Sequence, residues 1–251
     1  MKNLLLLSGM DGTGILFRPL LDELNQSDVN YRIAIYDFNA CHIKDNNNQA
    51  LEYQADKIVK FIHGNFGYES FVVVFESYSS LFVPYLLKCQ LAIEKIYIIG
   101  GFLACPSVLA KFGLFINPAW ARLLPNQLLG FLLFRHWANE ELIGLFREVL
   151  AVISSPAILP LFKKRLSNIA HAKIPSHLPK SSVPCVYVSA RCDDLVDKKA
   201  GLAFRTMFEN INFLVIDGTH FLLQINPKFF GREIKLKNKT DLIRHYYHHW
   251  V

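Results

Sequence analysis

An α/β architecture, with a mostly parallel sheet of about six strands and a helical insertion, follows from three features of this 251-residue sequence. Short runs of continuous apolar residues recur from the first residues onward, which suits parallel strands covered on both faces. Stretches with apolar residues at helical spacing separate them. One long interval holds helical periods and no strand. Composition agrees: 52% hydrophobic against 19% charged, with 20 Phe and 10 Tyr, excludes intrinsic disorder as the main state. No apolar run approaches the ~18 residues of a membrane-spanning helix, so no stable membrane insertion is expected.

Leu4-Leu5-Leu6-Leu7 is the first strand. It ends in Ser8-Gly9-Met10-Asp11-Gly12 without a small-residue cleavage pattern, so it reads as a buried strand and not a signal peptide; a cytoplasmic protein is expected. Ile15, Leu16, Leu20, Leu21 and Leu24 then fall at helical spacing, and Ile33–Tyr36 is the second strand. Leu51, Ala55, Ile58, Val59 and Ile62 form a second helical face, followed by Gly64. Phe71–Phe75 and Ile96–Ile99 are the third and fourth strands; Val186–Ser189 and Phe213–Ile216, beyond the long interval, are the fifth and sixth.

The interval divides the chain into a core, residues 1–100 and 180–251, and a helical lid, residues 101–179. Within the lid Asn139 can cap a helix whose first turn carries Glu140 and Glu141 at its positive end. Leu142, Leu145, Phe146, Val149, Leu150 and Ile153 form the apolar face of that helix. Ser155-Pro156 predicts the start of the next, with Leu159, Phe162, Leu166 and Ile169 at helical spacing. Leu128, Leu129, Phe131, Leu132, Leu133 and Phe134 would roof an apolar pocket, or for the most part simply form the core of the lid. The lid is also basic. Between Gly101 and Leu178 eight lysines and arginines stand against three glutamates, most of the chain's net charge of +6.

Three segments carry chemistry, each just beyond the carboxyl end of a strand, where open parallel sheets gather their sites. Ser77, in Phe75-Glu76-Ser77-Tyr78-Ser79, sits where a strand turns into a helix. A serine on such a turn is exposed above the sheet, with its neighbour's N–H at the positive end of the helix. It departs from the G-x-S-x-G pattern at Phe75, and by itself it could be a helix cap. Asp193, in Cys192-Asp193-Asp194-Leu195-Val196, could orient a histidine or merely cap a turn; Asp194 competes, and the spacing to Leu195-Val196 favours Asp193. His220, in Asp217-Gly218-Thr219-His220, could serve as general base. The order Ser77, Asp193, His220, each after a strand, is what raises these residues above their ordinary structural roles.

Over nearly its whole length the chain resembles a lid-bearing α/β-hydrolase. Leu6-Leu7-Ser8-Gly9-Met10-Asp11-Gly12-Thr13-Gly14 resembles the oxyanion loop, Glu76-Ser77-Tyr78-Ser79 the nucleophile elbow, and Asp193-Asp194-Leu195-Val196 the acid loop, with Asp197 where proline is usual. Gly218-Thr219-His220 resembles the histidine loop. The resemblance implies a six-stranded core in family order 4-3-5-6-7-8, the first two family strands being missing. It implies catalysis by Ser77, His220 and Asp193, an oxyanion held by the backbone N–H groups of Met10 and Tyr78, and no metal or organic cofactor. Asp11 could help fix the loop or simply serve its turn. In architecture, residue order and lid charge the chain is similar to esterases that cleave the methyl ester of pimeloyl-acyl-carrier protein in biotin synthesis. That similarity implies an acidic acyl carrier protein as partner. Arg122, Arg135, Arg147, Lys163, Lys164 and Arg165 are then its candidate contacts.

Other features point nowhere further. Five cysteines form no CxxC pair and are expected as free thiols. His245, His248 and His249 share a helical face but have no carboxylate or cysteine at matching spacing, so no metal is expected. The basic, aromatic tail (Lys235, Lys237, Lys239, Arg244, Tyr246, Tyr247, Trp250) fits no nucleic-acid-reading module.

Overall fold

The computed structural model describes residues 1–26, 28–42, 50–108 and 117–235. Lys111 and the tail residues from 236 onward, including the three C-terminal histidines, therefore lie outside the described residues. Six strands form one sheet: β1 (Lys2–Leu7), β2 (Tyr31–Tyr36), β3 (Phe71–Glu76), β4 (Ile93–Ile99), β5 (Cys185–Ala190) and β6 (Ile211–Ile216). Their order is β2-β1-β3-β4-β5-β6 and every neighbouring pair is parallel, as the sequence reading expects.

The apolar strands are divided residue by residue between two cores, because successive side chains point to opposite faces. Leu5, Leu7, Val73, Phe75, Ile96, Ile98 and Tyr187 pack on one face against α2 (Leu51–Phe66) through Ala55, Ile58, Ile62 and Phe66. Leu4, Leu6, Val72, Val74, Tyr97, Ile99 and Val188 pack on the other against α1 (Arg18–Asn25) and a C-terminal helix, Pro227–Lys235, through Leu20, Leu24, Phe230 and Ile234. The inner strands are thus buried on both sides, while the edge strands β2 and β6 are only partly covered. Its strand ends are also level: Leu7 pairs with Tyr36 and Phe75, Phe75 with Ile98, and Ala190 with Ile216. Polar loop residues after β1, β3, β5 and β6 consequently emerge along one edge, with the order reversal between β1 and β3 opening a crevice there.

Between β4 and β5 the described residues from 117 to 170 fold as helices. The longer ones are α3 (Asn126–Phe134), α4 (Glu140–Ile153) and α5 (Leu159–Ala170). Asn139 caps α4 as expected: its Oδ1 accepts from the Leu142 N–H at 2.8 Å. Leu145, Val149, Leu150 and Ile153 meet Phe162 and Leu166 of α5, Leu129 of α3 and Leu16 of the core in a third apolar cluster.

The second helix runs through Gly64 to Phe66, since Ile62 and Phe66 still have core to bury and a single helical glycine costs only about 1 kcal/mol. Two local expectations are corrected. α5 starts at Leu159, not at Ser155-Pro156; residues 155–158 form a turn, with the Ile158 and Leu159 N–H groups donating to the Ser155 carbonyl, and Pro160 occupies the first helical turn. α3 does not present a continuous apolar roof. Leu129 and Phe134 are buried, whereas Leu128, Phe131 and Leu132 are 44%, 66% and 58% exposed. Among the described residues no helix is long and apolar enough to cross a membrane.

The cap gives a direct test of how α4 is held. Asn139→Ala leaves the Leu142 N–H without its acceptor and should lower unfolding free energy by about 1 kcal/mol in urea titration.

Candidate active site

The carboxyl edge of the sheet brings the three expected side chains into line. β3 ends at Glu76, and Ser77 follows with φ 50°, the left-handed region that a side chain ordinarily avoids at a cost of roughly 1–2 kcal/mol. The turn is held from below by two hydroxyls. Ser79 Oγ lies 2.8 Å from the Leu7 carbonyl and 3.0 Å from that of Glu76. Ser80 Oγ lies 2.6 Å from the Ser77 carbonyl and accepts from the Phe102 N–H at 2.8 Å. Residues 77–82 continue as a 3₁₀ segment into a short α-turn, Val83–Leu86, so the Tyr78 N–H belongs to the first turn of a helical stretch. Phe75, the departure from the glycine pattern, is accommodated because its ring points into the core, 1% exposed.

His220 Nε2 is 2.8 Å from Ser77 Oγ, and His220 Nδ1 is 2.8 Å from Asp193 Oδ2. A carboxylate only accepts, so Nδ1 carries the proton and Nε2 is left to accept from the serine hydroxyl. Asp193 takes both roles weighed for it: its other oxygen accepts from the Leu195 and Val196 N–H groups, each at 2.9 Å. Asp194 points away and pairs with Arg135 at 2.6 Å. Beside the imidazole, Gly100 at the end of β4 has φ 56°, and a Cβ there would stand 3.1 Å from His220 Cε1. Only glycine gives both that backbone and that clearance.

The loop after β1 closes the group. Gly12 donates to the Gly9 carbonyl at 3.2 Å, folding Gly9–Gly12 into a turn that carries the Met10 N–H. The Asp11 side chain does fix this loop, accepting from the Thr13 N–H at 3.0 Å and from the Thr13 hydroxyl. Behind Ser77, the buried Glu76 accepts from Gln224 Nε2 at 2.9 Å. Neither Glu76 nor Gln224 stood out in the sequence; a charged residue inside the otherwise apolar run before Ser77 was the available signal.

Burial would lift Asp193, but the His220 charge and hydrogen bond, with the two N–H donors, prevail and hold it below its ordinary value. Burial likewise opposes a charged His220. The Asp193 charge and hydrogen bond, with Glu76 behind, outweigh it and raise the imidazole above its ordinary value. Glu76 is pushed up to about 7 by burial and by Asp11, against Gln224, His220 and the Gly9 N–H. A neutral imidazole between a serine hydroxyl and a carboxylate can take the hydroxyl proton, and the resulting imidazolium is then stabilised where it stands.

The six cations expected on the surface divide. Arg122, Lys163 and Lys164 are exposed. Arg135 is exposed but committed to Asp194. Arg147 is half-buried: it donates to the carbonyls of Ala121 and Arg122 at 3.3 and 2.7 Å, to that of Leu124, and to Asn126 Oδ1. It staples the preceding helical turn to α4. Arg165 is 1% exposed and cannot meet a partner at the surface. Sequence spacing did not separate it from Lys163 and Lys164; a residue one step on around α5 faces the core.

The sheet order, the helices on both faces and the placement of these loops define the α/β-hydrolase fold. Solved structures agree over nearly the whole chain. A hydrolase from Oleispira antarctica matches with a TM-score of 0.70 at 17% identity, covering 95% of this chain and 92% of that one. 2-Hydroxy-6-oxo-6-phenylhexa-2,4-dienoate hydrolase from Rhodococcus sp. strain RHA1 matches at 0.69 and 17%, covering 93% and 89%. The RedJ thioesterase of prodiginine biosynthesis from Streptomyces coelicolor matches at 0.63 and 13%, also covering 93% and 89%. At such identities the likeness is one of fold. No family model matches the sequence, and no curated protein does.

The electrostatics set two measurable outcomes. The His220 imidazole, followed by NMR, should titrate above the ~6.5 of an unperturbed histidine, and Glu76→Gln, which removes one of the charges raising it, should bring it down. Glu76 itself favours the folded state most below 4.5, and that contribution is lost as pH rises through about 7. Glu76→Gln should therefore gain on the wild type by up to about 3 kcal/mol between pH 5 and pH 8.5 in urea unfolding.

Proposed function

We propose that the protein is a serine carboxylic ester hydrolase. The observation that carries this reading is the unbroken chain Ser77 Oγ, His220, Asp193, with both contacts at 2.8 Å. Ser77 Oγ attacks the acyl carbonyl carbon while His220 Nε2 takes its proton, and the Asp193 carboxylate holds the imidazolium. The developing oxyanion is met by the N–H groups of Met10 and Tyr78. The ester C–O bond breaks, His220 returns the proton to the departing alkoxide, and an acyl-enzyme remains. Water activated by the same imidazole then releases the acid and frees Ser77. These steps call for no metal or organic cofactor.

We extend the reading to the substrate. Residues 1–100 and 180–251 act as the hydrolytic core and 101–179 as a lid over it. The substrate is an acyl ester borne by an acidic acyl carrier protein, such as the methyl ester of pimeloyl-carrier protein in cytoplasmic biotin synthesis. The terminal ester is cleaved and the thioester to the carrier is left intact. Support comes from the exposed cations Arg122, Lys163 and Lys164, in a segment with a net charge of +5 between residues 101 and 178. A thioesterase or acyltransferase would use the same three residues, and the RedJ thioesterase shares the fold. Product analysis on a carrier-bound substrate separates them: free methanol supports the esterase, released carrier thiol the thioesterase.

A p-nitrophenyl short-chain ester should give a burst that Ser77→Ala lowers by at least ~10³-fold. A serine-directed phosphonate should leave its mass on Ser77. Silence in both assays would mean a hydrolase-like binding protein. On a carrier-linked methyl ester, kcat/KM should fall steeply with salt and with Lys163→Glu plus Lys164→Glu, while the p-nitrophenyl ester is unaffected. Salt-insensitive turnover would remove the carrier from the reading.

A further inference from the structure

We infer that Arg165 is a positioning residue that sets the geometry of the oxyanion loop from within the helical segment. The inference rests on the reading of Met10 as an oxyanion donor. Arg165 belongs to α5, yet its guanidinium reaches into the core. Its Nε donates to the Met10 carbonyl at 2.7 Å, and its Nη2 donates to the Asp11 carbonyl at 3.2 Å and to Asn39 Oδ1 at 2.6 Å. Asn39 closes the ring: its Nδ2 donates to the Asp11 carbonyl at 3.0 Å, and its own N–H to the Gly12 carbonyl at 3.3 Å. Both carbonyls of the Met10-Asp11 stretch are therefore held by one side chain, 155 and 154 residues away.

Fixing the Met10 carbonyl fixes the plane of the peptide on the carboxyl side of Met10. With the Gly9–Gly12 turn holding the other side, this leaves the Met10 N–H one direction in which to point. Gly12 belongs to the same arrangement. A Cβ there would lie 2.9 Å from Arg165 Cζ, so the loop is shaped around the guanidinium. Every hydrogen-bond acceptor on Arg165 named above is neutral, and the charges of Asp11 and Asp37 reach it only through space. A buried cation served by carbonyls and an amide is costly to keep as mere packing, and its planar fork, which lysine lacks, is what these diverging acceptors require. The loop and α5 consequently move as one body, and the precision of the donor depends on a residue outside the three loops that carry the reacting groups.

The test compares wild type, Arg165→Lys and Arg165→Met with Val149→Ala, a core truncation in the same helical layer that makes no hydrogen bond to the loop. The expected result with the p-nitrophenyl ester is kcat reduced about 10- to 100-fold in both arginine variants, with KM within about twofold. Affinity for a boronic acid, whose tetrahedral adduct needs the same donors, should fall in parallel, and Val149→Ala should spare both. Hydrogen exchange of the amides of residues 9–13 should accelerate selectively in the arginine variants. If Arg165→Met does not fold, Asn39→Ala should give the same pattern in weaker form. Kinetics and exchange no different from Val149→Ala would overturn the inference. A wild type inert to ester and boronate would overturn the hydrolytic reading, and the exchange measurement would still decide whether Arg165 holds the loop.

Discussion

The left-handed backbone at Ser77 is the constraint on which the rest of the site depends. β3 lies inside the sheet, with β1 on one side and β4 on the other, so the chain leaving it has little room to turn. A positive φ makes the turn abrupt enough to lift one side chain above the sheet while the flanking residues go down. Phe75 goes into the core, Glu76 into a polar pocket with Gln224, and Ser79 and Ser80 tie the turn to β1 and to the strand end after β4. Ser77 alone is presented to His220.

Around that turn two carboxyl groups are driven in opposite directions by their surroundings. Asp193 is met by three donors, the imidazole and two backbone N–H groups, and remains ionised. Glu76, no better exposed, has one side-chain donor and faces the charge of Asp11. Burial dominates there, and the group sits near neutrality between its two forms. Environments that separate the titration of neighbouring acids are a recurrent property of sites that move protons. His220 lies between them, raised by both.

The helical segment shows how differently lysine and arginine are used. Lys163 and Lys164 remain at the surface, whereas Arg147 and Arg165 spend their forked donors on main-chain carbonyls within the protein. A charge count along the segment treats them alike. Their work differs: one arginine ties helix to helix, the other ties a helix to the loop beside Ser77.

Much of this was legible from the residues in order. The inner strands are continuous apolar runs that need cover on both faces, which suits a parallel sheet with polar loops at its carboxyl edge, while the edge strands β2 and β6 are only partly buried. Ser77, Asp193 and His220 stood out because each lies within four residues of the end of such a run and because of their order along the chain. Asn139 declared its cap by side-chain type and by the acids behind it. What the order of residues did not determine is whatever depends on direction in three dimensions. Lys164 and Arg165 are neighbours in sequence, and one step of about 100° around a helix separates solvent from core. Glu76 and Gln224 meet 148 residues apart, and Gly100 is needed both for its left-handed backbone and because His220 arrives beside it. Local patterns specify elements, because periodicity is a local property. Partners drawn from distant loops, and the proton affinities they impose, exist only once the sheet has brought those loops to the same edge.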